Sequence, residues 1–464
     1  MKRLIITALT FVAMVSGADA AEGVEERAIQ RRGVEAIVWS LPAVNTELMY
    51  QAFVKAGGGP NQIAYWSRLP SWKNQTLTPN PDTVYFMPFF NTKEGPMVLE
   101  VPPADQGSLT GNIDNIWQVA LEDAGPSGAD KGKGGKYLIL PPGYADGIPE
   151  SYIPLRSDTY SGYALIRSTV KSASDEDVAK AVAYGKRVKL YPLSAAAKPG
   201  ETKFVDVIDS VFDATIPYNT TYFEALYRVI QNEPWLPRDR AMIDSLKSLG
   251  IEKGKPFAPD EGTARALNAA ATEANAWLEH QRASVFAPYF EGKQWFVPAS
   301  PEGIEGQSEN FARNDSYPTD ARAITYSMGY VGIKRLGAGQ FYMMALNDKD
   351  GKRLDGGKSY RLTVPAHAPA KQYWSATVYD GATHGFIREM GHFSRASNTP
   401  GIHANADGSF DVYFAPSAPE GKDSNWVPTK AGATFEVLFR LYGPEKPLFD
   451  KTWVLPDIQT ISAQ

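Results

Sequence analysis

Thr434-Phe435-Glu436-Val437-Leu438-Phe439-Arg440-Leu441 is the stretch that decides the fold, because Phe435, Val437, Phe439 and Leu441 alternate with Glu436 and Arg440. In an extended chain successive side chains point to opposite faces, so a period of two predicts a strand with one apolar face turned inward. Arg440 shares the other face with Glu436. The expectation there is an arginine that is solvated or anchored by that carboxylate, with Trp426 from the preceding loop stacked on it as a clasp. Working outward, similar short runs occur at 323–330, 340–347, 359–364, 372–379 and 410–414, and Asp350-Gly351 and Asp407-Gly408 supply tight turns. Many short strands with regular turns and no strand–helix alternation predict an antiparallel, jelly-roll-like sandwich over residues 295–464.

Toward the N-terminus the period changes. Ile37, Leu41, Val44, Leu48 and Ala52 recur at helical spacing, Pro42 suits the first residue of a second helix, and Gly57-Gly58-Gly59-Pro60 ends it. Strand runs follow at 83–90, 97–101, 115–121, 136–140 and 163–170. Ser174, ahead of Asp175, Glu176 and Asp177, is a helix N-cap. Residues 207–294 then read as a helical connector, with helices over 222–230, 241–249 and 263–282. The fold class is therefore α+β: two β-rich domains, at 21–206 and 295–464, joined by that connector.

The first residues bear on the compartment. Lys2 and Arg3, an apolar run over 4–15 and Ala18-Asp19-Ala20 have the order of a secretory signal peptide, with cleavage expected near Ala20. The run is shorter than the roughly 20 residues that span a bilayer, and no membrane insertion is expected. The expected location is periplasmic or extracellular. Among the 464 residues there is no cysteine, which removes disulfides, thiolate nucleophiles, iron–sulfur clusters and cysteine-based zinc sites. A net charge of −5 argues against nucleic acid as a partner. A homo-oligomer is compatible with the chain.

Several strings resemble a bacterial family that pairs the domains of unknown function numbered 1254 and 1214. In the N-terminal half they are Thr78-Pro79-Asn80-Pro81-Asp82-Thr83-Val84-Tyr85, Gly95-Pro96-Met97-Val98-Leu99-Glu100-Val101-Pro102 and Gly134-Gly135-Lys136-Tyr137-Leu138-Ile139-Leu140-Pro141. In the C-terminal half they are Tyr373-Trp374-Ser375-Ala376-Thr377-Val378-Tyr379-Asp380, Ser424-Asn425-Trp426-Val427-Pro428 and Phe439-Arg440-Leu441-Tyr442-Gly443-Pro444. The resemblance implies two β-rich domains, the second jelly-roll-like. It brings no reaction and no catalytic residues.

The candidate chemistry centres on Asn80, Asp82 and Tyr85, where a proline-punctuated loop enters a strand. Asp82 with Asp114 or Asp123 would make the acid and base of a glycoside-cleaving site, with Asn80 and Tyr85 binding substrate. The competing reading is that Asn80 and Asp82 fix a turn through backbone amides. Asn425 and Trp426 are further substrate-binding candidates, since flat rings beside amide donors suit sugars. His384, His392 and His403 gather within twenty positions. They lack the His-x-His spacing of a cupin-like metal site, so neither metal nor other cofactor is expected. Ser168-x-x-Lys171 matches a serine–lysine spacing but ends a strand rather than opening a helix. Two functions follow: a hydrolase or lyase acting on a small polar or carbohydrate-like molecule, or a non-catalytic binding or assembly protein that uses the sandwich as a recognition surface.

Overall fold

A computed structural model describes residues 2–329, 334–335 and 339–461, and the side chains of residues 2–22, including the proposed signal sequence, lie outside the description. The deciding stretch forms the strand Phe435–Pro444, central in a sheet ordered Gln340–Ala345, Phe435–Pro444, Ala370–Asp380, Ser394–Ala396. A second sheet runs Trp426–Pro428, Phe410–Ala415, Ser359–Val364, Gln459–Ile461. Both sheets feed one core, in which Phe435, Val437, Phe439 and Leu441 meet Leu362, Val412, Phe414 and Val427. Burying each such side chain contributes about 1.5–3 kcal/mol. The pairings are antiparallel as expected, except that Phe410–Ala415 and Trp426–Pro428 run parallel.

The polar face of that strand departs from expectation. Glu436, Leu438, Arg440 and Tyr442 are 0, 2, 2 and 8% exposed. Leu438 packs into a cluster with Val38, Leu278, Ile324 and Met328 from three helices, so this face is an internal boundary and not a wet surface.

The N-terminal domain is also two-layered. Its six-stranded sheet is ordered Phe204–Asp206, Gln62–Tyr65, Val84–Asn91, Ser161–Ser168, Leu109–Asn115, Ala120–Ala124. It shares a core with the sheet Lys189–Pro192, Met97–Val101, Gly135–Leu140, Ile153–Arg156. Its other face packs on Met49, Ala52 and Phe53 at the end of the helix Lys2–Lys55. Ser174 caps the helix Asp175–Gly185, its side chain accepting from the Asp177 amide.

The helices Thr220–Asn232, Met242–Ser248 and Glu261–Ser284 fall where the connector was expected. They pack with the helix Lys2–Lys55 into a layer with its own core, so the connector is a structural body between the sheets. Among the described residues, no helix is long and apolar enough to cross a membrane.

Three local expectations need correction. Pro42 starts no new helix: it lies inside Lys2–Lys55, flanked by buried Leu41, Ala43 and Val44. Its carbonyl accepts from Thr46 Oγ1 and Gln118 Nε2, so packing and side-chain bonds offset the lost backbone bond. The strand expected at 323–330 is the helix Thr319–Met328, and Tyr330 lies outside the described residues. Ile324, Thr325 and Tyr326 favour extended chain, but every residue from Ala321 to Met328 is buried, and packing overrides propensity. The run at 115–121 is broken by a turn in which Asn115 Oδ1 accepts from the amides of Trp117 and Val119, both at 3.0 Å.

Candidate functional site

The loop from Thr78 to Thr83 crosses from the N-terminal domain onto the buried face of the C-terminal sheet. Asn80 Oδ1 accepts from the Asp82 amide at 3.0 Å, the expected Asx turn. Around that turn the second domain grips the backbone. Arg440 Nη2 donates to the Thr78 carbonyl at 2.9 Å, and the Tyr379 hydroxyl donates to the Pro79 carbonyl at 2.6 Å. Asn80 Nδ2 donates to the Tyr442 hydroxyl at 2.5 Å, and Ser394 Oγ donates to Asp82 Oδ1 at 3.0 Å. Thr78 sits at φ +40°, and its amide donates to the His384 carbonyl at 2.7 Å. Tyr85, one strand position further on, receives the Asn80 amide on its hydroxyl at 2.9 Å.

Arg440 is neither solvated nor paired with Glu436. Its Nη1 donates to Thr377 Oγ1 at 2.9 Å and its Nη2 to the Tyr379 hydroxyl at 2.6 Å. The rings of Tyr342 and Tyr379 lie 5.3 and 5.6 Å from the guanidinium. Glu436 is instead 2.9 Å from His384 Nδ1, and His384 Nε2 contacts Arg282 Nη1. An arginine can only donate, so Nε2 accepts and Nδ1–H points at Glu436.

The Trp426 clasp is also corrected. Trp426 Nε1 donates to the Ala415 carbonyl at 2.8 Å, and its ring meets the edge of His392 at 5.3 Å. Asn425 Nδ2 donates to the carbonyls of His403 and Asp411, each at 2.8 Å. Both residues tie strands of the second sheet together and line neither cavity described below. The three histidines take separate roles, and no group of three or more His, Asp or Glu side chains able to hold a metal occurs among the described residues.

Among the cavities where the domains meet, two adjoin through shared residues. A cleft of about 390 Å³ is lined by Asn80, Asp82, Asp123, Arg167, Tyr373 and Tyr442. Behind it, a chamber of about 60 Å³ shares Asn80 and Arg167 and adds Tyr85, Tyr342 and Arg440. Tyr373 and Tyr442 stack with centroids 4.2 Å apart, forming one wall. Burial pushes the half-buried Asp82 carboxyl up from its ordinary pKa, and the Ser394 hydroxyl opposes the shift. Burial also raises Asp123, against the amides of Lys334 and Arg335, which donate to its two oxygens at 2.9 Å each. Asp114 lines neither cavity. Its carboxyl is fully buried against Asn112, and that burial holds its pKa well above the usual carboxylate range.

The structure thus brings Asn80, Asp82, Tyr85 and Asp123 to the domain boundary and leaves Asp114, Asn425 and Trp426 outside it. Sequence reasoning passed over Arg167 and misjudged Arg440. Each interrupts an otherwise apolar strand, and that interruption is the signal that pointed to them.

No curated protein matches the chain. Among solved structures it is similar to the VPA0106 protein from Vibrio parahaemolyticus, at 17% identity and a TM-score of 0.57, over 94% of this chain and all of that one. An uncharacterized protein from Burkholderia cenocepacia aligns over 96% of this chain and 97% of its own at 12% identity, with a TM-score of 0.43. The first likeness supports the fold alone. Residues 60–192 match the model of the protein of unknown function DUF1254, and residues 339–446 match that of the protein of unknown function DUF1214. With both domains present in this order, the chain belongs to the family that pairs DUF1254 with DUF1214.

Proposed function

We propose that this protein binds a small polar molecule in the cleft between its two β domains. One observation carries the reading: the cleft is lined from both domains by polar groups that converge on it, Asn80, Asp82 and Arg167 from one and Tyr373 and Tyr442 from the other. Thr110 is an exposed residue on the cleft wall. Thr110→Trp should fill the space and abolish the rise in melting temperature that a bound small molecule gives the parent, with the unliganded melting temperature unchanged. Ligands that stabilise parent and variant equally would refute the cleft.

A hydrolase or lyase is the second reading, favoured by the raised pKa of Asp82 on the cleft wall, which suits a proton carrier. Asp123 is held by backbone amides and Arg335, which leaves Asp82 without a free carboxylate partner in the cleft. Asp82→Asn separates the two: turnover is lost in an enzyme, and binding persists in a receptor.

The same proposal has the protein exported to the periplasm or beyond. Its support is Lys2, Arg3, the apolar run over 4–15 and Ala18-Asp19-Ala20. Intact mass of the exported chain should show loss of about 20 residues. Eight strands in two four-stranded sheets support a jelly-roll-like description of the C-terminal sandwich.

A further inference from the structure

We infer that the chamber behind the cleft is a carboxylate-binding site in which Arg167 and Arg440 hold the anion and the surrounding wall takes a short apolar body. The inference rests on the cleft reading and names the chemical class of its ligand.

The argument begins with charge. A guanidinium stays protonated in any protein, and removing it from water is costly unless an anion or a full set of acceptors replaces the solvent. Arg440 has three acceptors, Thr377 Oγ1, the Thr78 carbonyl and the Tyr379 hydroxyl, yet its Nε finds no partner. Arg167 Nε is also without a partner, and its guanidinium lies 5.6 Å from the ring of Tyr85, whose hydroxyl is the side-chain group that reaches it. Among the described residues neither arginine forms an ion pair with a carboxylate. Burial acts most strongly on both, and the groups nearest them are the neutral hydroxyls of tyrosines such as Tyr85 and Tyr342. Asp114 and Asp82 act on Arg167 and Arg440 only from a distance, and among the described residues no carboxylate lines the chamber. The chamber therefore carries unmatched positive charge.

Its shape and lining narrow the ligand. Arg167 and Arg440 both line it, and Met87, Leu165, Met328, Met344 and Leu438 supply much of the rest. A planar carboxylate matches the guanidinium fork in a bidentate way, and the methionines and leucines suit a short aliphatic body. Phosphate would set a strongly hydrated anion against the same apolar wall. The volume of about 60 Å³ admits only a few water-sized groups. Asn80 and Arg167, common to both cavities, mark where a ligand passes from cleft to chamber.

Calorimetric titration of the full chain with sodium acetate, butyrate, benzoate, inorganic phosphate and glucose tests the inference. At least one carboxylate should bind saturably, and Arg167→Gln should weaken it about tenfold or more. Arg167→Lys, which keeps the charge and loses the fork, should weaken it less, and it serves if the glutamine variant does not fold. Phosphate binding tighter than every carboxylate overturns the assignment. So does saturable carboxylate binding that Arg167→Gln leaves unchanged, or no carboxylate binding at all. Glucose binding that Thr110→Trp blocks, with no carboxylate bound saturably, would overturn it while leaving the cleft reading standing.

Discussion

Tyr379→Phe removes one oxygen from the domain boundary and keeps the ring. The ring is fully buried and stacks on Phe386 at 5.8 Å with 9° between the planes, so phenylalanine can occupy the same place. What disappears is the hydroxyl that donates to the Pro79 carbonyl and accepts from Arg440 Nη2, both at 2.6 Å. A neutral hydrogen bond contributes about 0.5–1.5 kcal/mol and one to a charged group about 1.5–3 kcal/mol. Arg440 Nη2 keeps the Thr78 carbonyl, so the charged loss falls at the low end of its range. The expected destabilisation is about 2–3 kcal/mol. Urea denaturation followed by tryptophan fluorescence and far-ultraviolet circular dichroism measures it, with two probes because a two-domain chain can unfold in more than one step. A loss below about 0.5 kcal/mol, less than a typical single hydrogen bond, would refute the grip of the C-terminal sheet on the 78–83 loop.

Burial raises the folded pKa of Asp114, so the native state keeps a proton that the unfolded chain has released. That contribution is whole below the unfolded value near 3.8 and is lost as pH rises through the folded one. Asp114→Asn should therefore unfold at higher urea than the parent at pH 7, with the difference shrinking toward pH 4. A difference that is constant with pH contradicts the assignment. His384→Ala leaves Glu436 and Arg282 buried without their shared partner and should cost about 3–5 kcal/mol; a parent-like urea midpoint would show that the three do not form a network. Trp426→Ala should cost about 1–3 kcal/mol in stability by losing the packing of its partly buried ring and the bond to Ala415, while ligand affinity stays at the parent value. Selective loss of binding in a stable variant would put Trp426 in a site after all.

Elements whose logic is local were legible in the sequence. The alternation from Phe435 to Leu441 identified a strand because side-chain direction there depends on neighbours two residues away. Ser174 with its acids identified a cap for the same reason. The same alternation is silent on what covers the second face. A polar residue on a strand normally faces water, and nothing near Arg440 in the chain says that Thr78 and Pro79, some 360 residues earlier, lie against it. Leu438 and Tyr442 on that face were the warning, since a wet surface seldom carries both beside a lone arginine. The loop at 78–83 shows the limit from the other side. Its residues were singled out from their own spacing, and the Asx turn between Asn80 and Asp82 is there. The turn and the site are alternatives on the sequence alone; the turn is present, and its two residues also line the cleft proposed to bind ligand. A loop has to be fixed before its side chains can present a defined surface, and here Arg440, Tyr379 and Tyr442 of the other domain fix it. The proposed site therefore requires both domains to be folded and joined. Chemistry that depends on such a boundary cannot be read from either half alone.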